Sequence, residues 1–197
     1  MKSIKNIISL FALSLILSSC GMQSIPQGLN DVEAAWSEVQ NQYKRRSDLI
    51  PNLVSTVKGY AKHEQETLEG VVSARSKATQ VKIDASKLNG PEMKKFEEAQ
   101  QGLSGAISRL LMVSEKYPDL KANTNFQDLQ AQLEGTENRI AVARNRYIQS
   151  IKNFNNLITV PPTSWYNSLF LKHEKKPQFE LAPEEAKAAQ EAPKVEF

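Results

Sequence analysis

The chain has 197 residues, with 25 Lys and Arg against 22 Asp and Glu, a formal charge of +3. So even a balance gives no electrostatic case for a nucleic-acid partner, because such binding rests on clustered cations that release phosphate counterions. Cys20 is the only cysteine, which excludes an internal disulfide, and the length suits one domain held by packing alone.

Residues 1–19 read as a lipoprotein signal peptide. Lys2 and Lys5 give a basic start, and Ile7 to Leu17 form an apolar run of eleven residues, too short to span a bilayer. Leu17-Ser18-Ser19-Cys20 resembles a lipobox, which implies cleavage before Cys20 and a diacylglyceryl thioether on its sulfur, with palmitate-type acylation. Removing residues 1–19 takes away Lys2 and Lys5 and leaves 178 residues at a net charge of +1. The expected location is the bacterial cell envelope, as a lipid-anchored membrane protein. Gly21 rather than aspartate after Cys20 favours the outer membrane over the inner.

Residues 20–28 are expected to form an irregular tether, marked by Pro26 and Gly28. Asn30 or Asp31 then caps a first helix with Leu29, Val32, Trp36, Val39 and Tyr43 in steps of three and four, ending at Lys44-Arg45-Arg46. Asp48 caps a second, with Pro51 in its first turn, running from about Leu49 to Ala85. Its stripe is Ile50, Leu53, Val54, Val57, Tyr60, Ala61, Leu68, Val71, Val72 and Ala78. Asn89-Gly90-Pro91 breaks the chain before a third helix, with Met93, Phe96, Ala99, Leu103, Ala106, Ile107, Leu110, Leu111 and Val113, which stops at Tyr117-Pro118.

The fourth helix has the clearest period. Phe126, Leu133, Ile140, Tyr147 and Phe154 recur every seven residues, with Leu129, Ala143 and Leu157 three residues after three of them. Ile140 is expected at the centre of the core and Glu137 on a polar face. The predicted fold is all-α: an elongated antiparallel up-and-down four-helix bundle over 29–158. A Pro/aromatic segment covers 159–179, and a disordered acidic tail covers 180–197, with five glutamates, two lysines and two prolines. Gly59, Gly70, Gly102, Gly105 and Gly135 fall inside helices and are read as solvent-facing.

Arg45-Arg46-Ser47-Asp48-Leu49-Ile50-Pro51-Asn52-Leu53-Val54 and Thr56-Val57-Lys58-Gly59-Tyr60-Ala61-Lys62-His63-Glu64 resemble the LemA family. Glu115 to Asn123 with Phe126, Glu134 to Arg144, Tyr147, and Phe154-Asn155 are similar to that family in the same order. The resemblance implies a helical bundle anchored at a membrane, with no established enzymatic activity. In the family the anchor is most often an N-terminal transmembrane helix, and here the lipid on Cys20 replaces it. Pro161-Pro162 and Leu169-Phe170 approximate the Pro-Asn and Gly-Phe features that follow the family's fourth helix.

His63 and Glu64 are the one chemically tempting pair: a metal or acid–base site on one reading, a polar register-setting layer on the other. On that second reading Glu64 occupies a core heptad position and pairs with Arg75, Arg139 or Arg144. His173 is expected to be solvated in a lysine-rich loop. No Gly-x-Ser-x-Gly elbow and no phosphate-cradling glycine loop occurs, so no catalytic residue, cofactor or metal is expected. The candidate interaction surface is Arg45, Arg46 and Asp48, a basic turn at a helix start where free backbone N–H groups favour anions. Trp165, Tyr166, Leu169 and Phe170 are candidate membrane-facing residues, because four helices in up-and-down order return them to the anchored end. Their alternative role is a cap over the open end of the bundle.

The expected function is a membrane-anchored, non-catalytic scaffold or adaptor with unidentified envelope proteins as partners. The rivals are an envelope enzyme centred on His63/Glu64 and a module that binds lipid or an envelope polymer.

Overall fold

The computed structural model describes residues 23–81, 83, 89–177 and 179. The signal peptide, Cys20 and the acidic tail lie outside the described residues. Within them the protein is helical without strands: α1 Ser24–Tyr60, α2 Gln65–Gln80, α3 Gly90–Ser114, α4 Pro118–Lys121, α5 Thr124–Thr159 and α6 Thr163–Tyr166, then a π-helical turn Asn167–Leu171.

Four boundaries differ from the sequence expectation. Residues 24–28, expected as tether, are the first turns of α1, with Ile25 and Gly28 buried. Pro26 sits where the missing N–H would have no helical partner anyway. Gly28 lies close against α5: a Cβ there would meet Leu157 Cδ1 at 2.8 Å, so that side chain would have to shift. By contrast, a Cβ at Gly59, Gly70, Gly102, Gly105 or Gly135 meets nothing within 4 Å, as their solvent-facing reading requires.

The expected first and second helices are one. Asp48 is no N-cap; its carboxylate takes Lys44 Nζ at 2.7 Å, an i,i+4 pair on an exposed face. Pro51 lies inside α1, and having no N–H it leaves the Ser47 carbonyl without its helical donor. Arg75 on α2 supplies one: its Nε donates to Ser47 O at 2.8 Å. One cation from a neighbouring helix thus fills the gap that proline makes.

The break comes instead at Ala61–Glu64. The apolar stripe has no member between Ala61 and Leu68, so Lys62, His63 and Gln65 have nothing to bury and are exposed while the chain reverses. α2 then ends at Gln80, short of the expected Ala85. The later boundaries match: Asn89 caps α3 through Glu92 N at 2.9 Å, and Asn123 caps α5 through Phe126 N at 3.0 Å.

α1 and α5 are antiparallel. Gly28 meets Phe154 and Leu157 at one end, while Tyr60 Oη accepts from Asn123 Nδ2 at the other, at 2.9 Å. α2 and α3 are likewise antiparallel, with Tyr117 reaching Glu64 and Gln100 reaching Ala78 O. All five heptad residues of α5 are buried. Tyr60 and Val72, assigned to the second stripe, are instead 43% and 52% exposed.

Candidate functional site

The buried core falls into two clusters. One holds Ile50, Leu53, Val57, Leu68, Val71, Leu103, Leu110, Phe126 and Leu133. The other holds Ile25, Trp36, Tyr43, Phe96, Ile140, Tyr147 and Phe154. On α1, α3 and α5 the numbering passes from one cluster to the other at the same level, and a polar layer occupies that level.

Arg46 is its centre, 1% exposed. Its Nη1 donates to Ser104 Oγ at 2.7 Å and to Glu137 Oε1 at 2.8 Å; its Nη2 donates to Gln100 Oε1 at 2.7 Å and to Gln100 O at 3.2 Å. Gln100 passes the connection on, its Nε2 donating to Ala78 O at 3.3 Å. One guanidinium so links α1 to α3 and α5 directly and to α2 through Gln100. The planar fork suits this task, since it offers several fixed donors that an ammonium lacks. The Tyr43 ring lies 5.1 Å below it.

This placement changes the expected interaction surface. Arg45 and Asp48 are exposed on α1, but Arg46 points inward, and no helix start exists there to present free N–H groups. Glu137, expected to matter little, is the carboxylate facing Arg46. The signal was present in the sequence: Arg46 stands three residues after Tyr43 and four before Ile50, on the apolar stripe. Gln100 stands likewise between Phe96 and Leu103.

His63 and Glu64 sit in the distal turn. His63 is exposed, and half-buried Glu64 precedes α2, where its Oε1 lies 3.5 Å from the Tyr117 hydroxyl. The chain break removes Glu64 from the heptad, and its expected arginines lie elsewhere. Arg75 serves Ser47, Arg139 is exposed, and Arg144 lies 3.6 Å from Glu97 and over the Phe179 ring. Among the described residues no three His, Cys, Asp or Glu side chains are grouped to hold a metal ion, and no helix is long and apolar enough to cross a membrane.

Near the aromatic cluster, burial raises the Tyr147 phenol well above its ordinary pKa. It raises Tyr43 too, against the opposing pull of Arg144 and Arg46. Both stay protonated at neutral pH, and the Tyr147 hydroxyl is buried without a hydrogen-bond partner among the described residues.

The segment after α5 was only partly legible. Trp165, Leu169 and Phe170 are 64%, 70% and 70% exposed, while Tyr166 is half-buried against the aromatic cluster. Beyond them the chain doubles back along α5. The Asn155 side chain brackets Lys176, donating to its O and accepting from its N, and the Phe179 ring meets Tyr147 edge-on at 5.3 Å and lies 6.1 Å from Trp36. His173, expected in solvent, is half-buried with its ring 5.9 Å from Phe154.

These features define a class: an all-helical protein on two long antiparallel helices, with the one deeply buried charge among the described residues used to join helices. The LemA family profile matches residues 35–197, and the chain belongs to the LemA family. It is similar to "Protein LemA" of Metamycoplasma hominis, 28% identical over 138 residues. That match takes in 70% of this chain and 58% of the relative's length.

Proposed function

We propose that this protein is a lipid-anchored, non-catalytic helical scaffold at the bacterial envelope, outer membrane rather than inner. In this reading the four longer helices form an up-and-down bundle that presents its far end to envelope protein partners. The observation that carries it is the antiparallel pairing of α1 and α5. It sets the start of α1, just after Cys20, at one end of the molecule. With 37 and 36 residues rising ~1.5 Å each, these helices put the opposite turns roughly 50 Å away.

Arg46 supports the reading, since the buried cation is committed to four hydrogen bonds between helices. The test is mass spectrometry of the mature protein with metal analysis of the same sample. Acyl chains on Cys20, lost together with palmitate labelling in Cys20→Ser, are expected. An unacylated mature chain overturns the anchor. Stoichiometric metal with a hydrolytic activity that His63→Ala removes overturns the scaffold in favour of the enzyme.

A further inference from the structure

Eight large apolar side chains are exposed among the described residues, and four of them, Val160, Trp165, Leu169 and Phe170, fall within residues 160–170. Scattered apolar residues on a surface need no explanation, but a concentration in one short segment does. The segment is also held firmly. Thr163 Oγ1 donates to Leu157 O at 2.6 Å, joining α6 to the end of α5. Asn167 is buried, and its side chain both donates to His173 O at 3.0 Å and accepts from His173 N at 2.9 Å. Lys172, at φ 55°, turns the chain inside that clamp. Tyr166 and Leu171 pack against the aromatic cluster, so the same short platform grips the core with two side chains and holds three others out in water.

We propose that the platform Thr163–Leu171 is a bilayer-contact surface, seating Trp165, Leu169 and Phe170 in the headgroup layer beside the lipid on Cys20. The inference rests on the anchor reading for its geometry. Gly28 at the start of α1 lies against Leu157, and Thr163 of the platform donates to the O of that same residue, which puts the start of α1 and the platform at one end. Cys20 is four residues before Ser24, so an extended chain holds it within about 14 Å of that residue. A bilayer is therefore the one apolar phase that the chain itself brings to this surface. The chemistry fits, since tryptophan rings favour the interface, and Lys172 and Lys175 are exposed beside the cluster with Glu174 the acid between them. The platform also fixes orientation: one acylated residue tethers a molecule, whereas a second contact stops it from tumbling about the tether.

The test uses the full lipoprotein, reconstituted into phosphatidylethanolamine–phosphatidylglycerol vesicles whose acyl chains carry bromine. Subtracting the emission of Trp165→Phe from that of the wild type isolates Trp165 and leaves the core residue Trp36 intact. Bromine should quench the Trp165 component, and aqueous iodide should not. Leu169→Asn with Phe170→Asn should abolish that quenching without moving the melting temperature, because both side chains are exposed. Trp165 open to iodide and untouched by bromine overturns the proposal. Trp165 shielded from both also overturns it, and means that the chain's own tail or a second copy covers the platform. The acyl mass on Cys20 is read from the same sample. Its absence removes the anchor alone, and the brominated vesicles, added to the unacylated protein, still decide the platform.

Discussion

On the side of Arg46 that contains Ser24 and Thr159, the core is aromatic, with the rings of Trp36, Tyr43, Phe96 and Tyr147 meeting at centroid distances of 5.1–5.3 Å. On the other side it is aliphatic, built on Ile50, Leu53, Val57, Leu103 and Leu110 with Phe126 alone among the fully buried rings. Aliphatic layers need only volume, whereas aromatic ones also impose geometry and bring polar edges that must be met. Trp36 Nε1 finds Ile83 O at 3.3 Å, but the Tyr147 hydroxyl finds no partner among the described residues. The aromatic half also receives the returning chain, whose Phe179 closes over Trp36 and Tyr147. One half is thus a plain helical core. The other is a junction where α1, α3 and α5, the platform and the returning segment are fitted together.

The strongest way to break this division is to charge the layer that borders it. Ile140 is 4% exposed on the aromatic side. Ile140→Asp buries an unpaired carboxylate and is expected to cost several kcal/mol, on the order of a domain's whole stability. Loss of the cooperative thermal transition would register it.

Removing the divider comes next. Arg46→Ala strips Gln100 and Ser104 of their donor and should cost about 3 kcal/mol in chemical denaturation. Arg46→Met with Gln100→Leu should recover most of that, because it fuses the two halves into one apolar core. Glu137→Ala should cost less, about 2 kcal/mol: that carboxylate is itself 48% exposed, but its loss leaves the buried Arg46 guanidinium without a counter-charge.

A smaller effect tests the continuity of α1 across the divider. Arg75→Ala leaves Ser47 O without a donor and is expected to cost about 1–3 kcal/mol. Pro51→Ala restores the N–H, so the same change in that background should cost a fraction as much. Equal costs in both backgrounds would show that Arg75 acts elsewhere.

The smallest effect lies with Tyr147. Tyr147→Phe removes an orphaned hydroxyl and should leave stability at pH 7 within about 0.5 kcal/mol of wild type. Its pH dependence has a definite sign. Burial raises the folded phenol's pKa above the ordinary 10.0, so its contribution is full below pH 10 and is lost as pH rises through the higher folded value. Melting temperature should therefore fall on alkaline titration, less steeply in Tyr147→Phe, with the rest from Tyr43.

Periodicity made the fold legible wherever a stripe was long. The seven-residue series in α5 needs no tertiary knowledge, and its members from Phe126 to Phe154 are all buried. Local punctuation misled where a distant partner outweighed it. Asp48 and Pro51 are ordinary start signals, and nothing nearby in sequence says that Arg75 will stand in for the missing N–H. Pro26 and Gly28 read as tether because the close approach of Leu157 is set by α5, over a hundred residues on. Arg46 and Gln100 were readable from spacing, but the charge of Arg46 drew it to the surface reading, and Gln100 drew no reading at all. The strap that carries Phe179 had no periodic signal at all.

The central claim is one of orientation: the aromatic end faces lipid and the aliphatic end faces protein. A photo-crosslinking amino acid placed in living cells at Leu169 in one variant and at Lys62 in another tests it most directly. Both positions are exposed and lie at opposite ends. The account predicts phospholipid adducts from Leu169 and discrete protein adducts from Lys62. Phospholipid adducts from Lys62, or the same products from both positions, would contradict it.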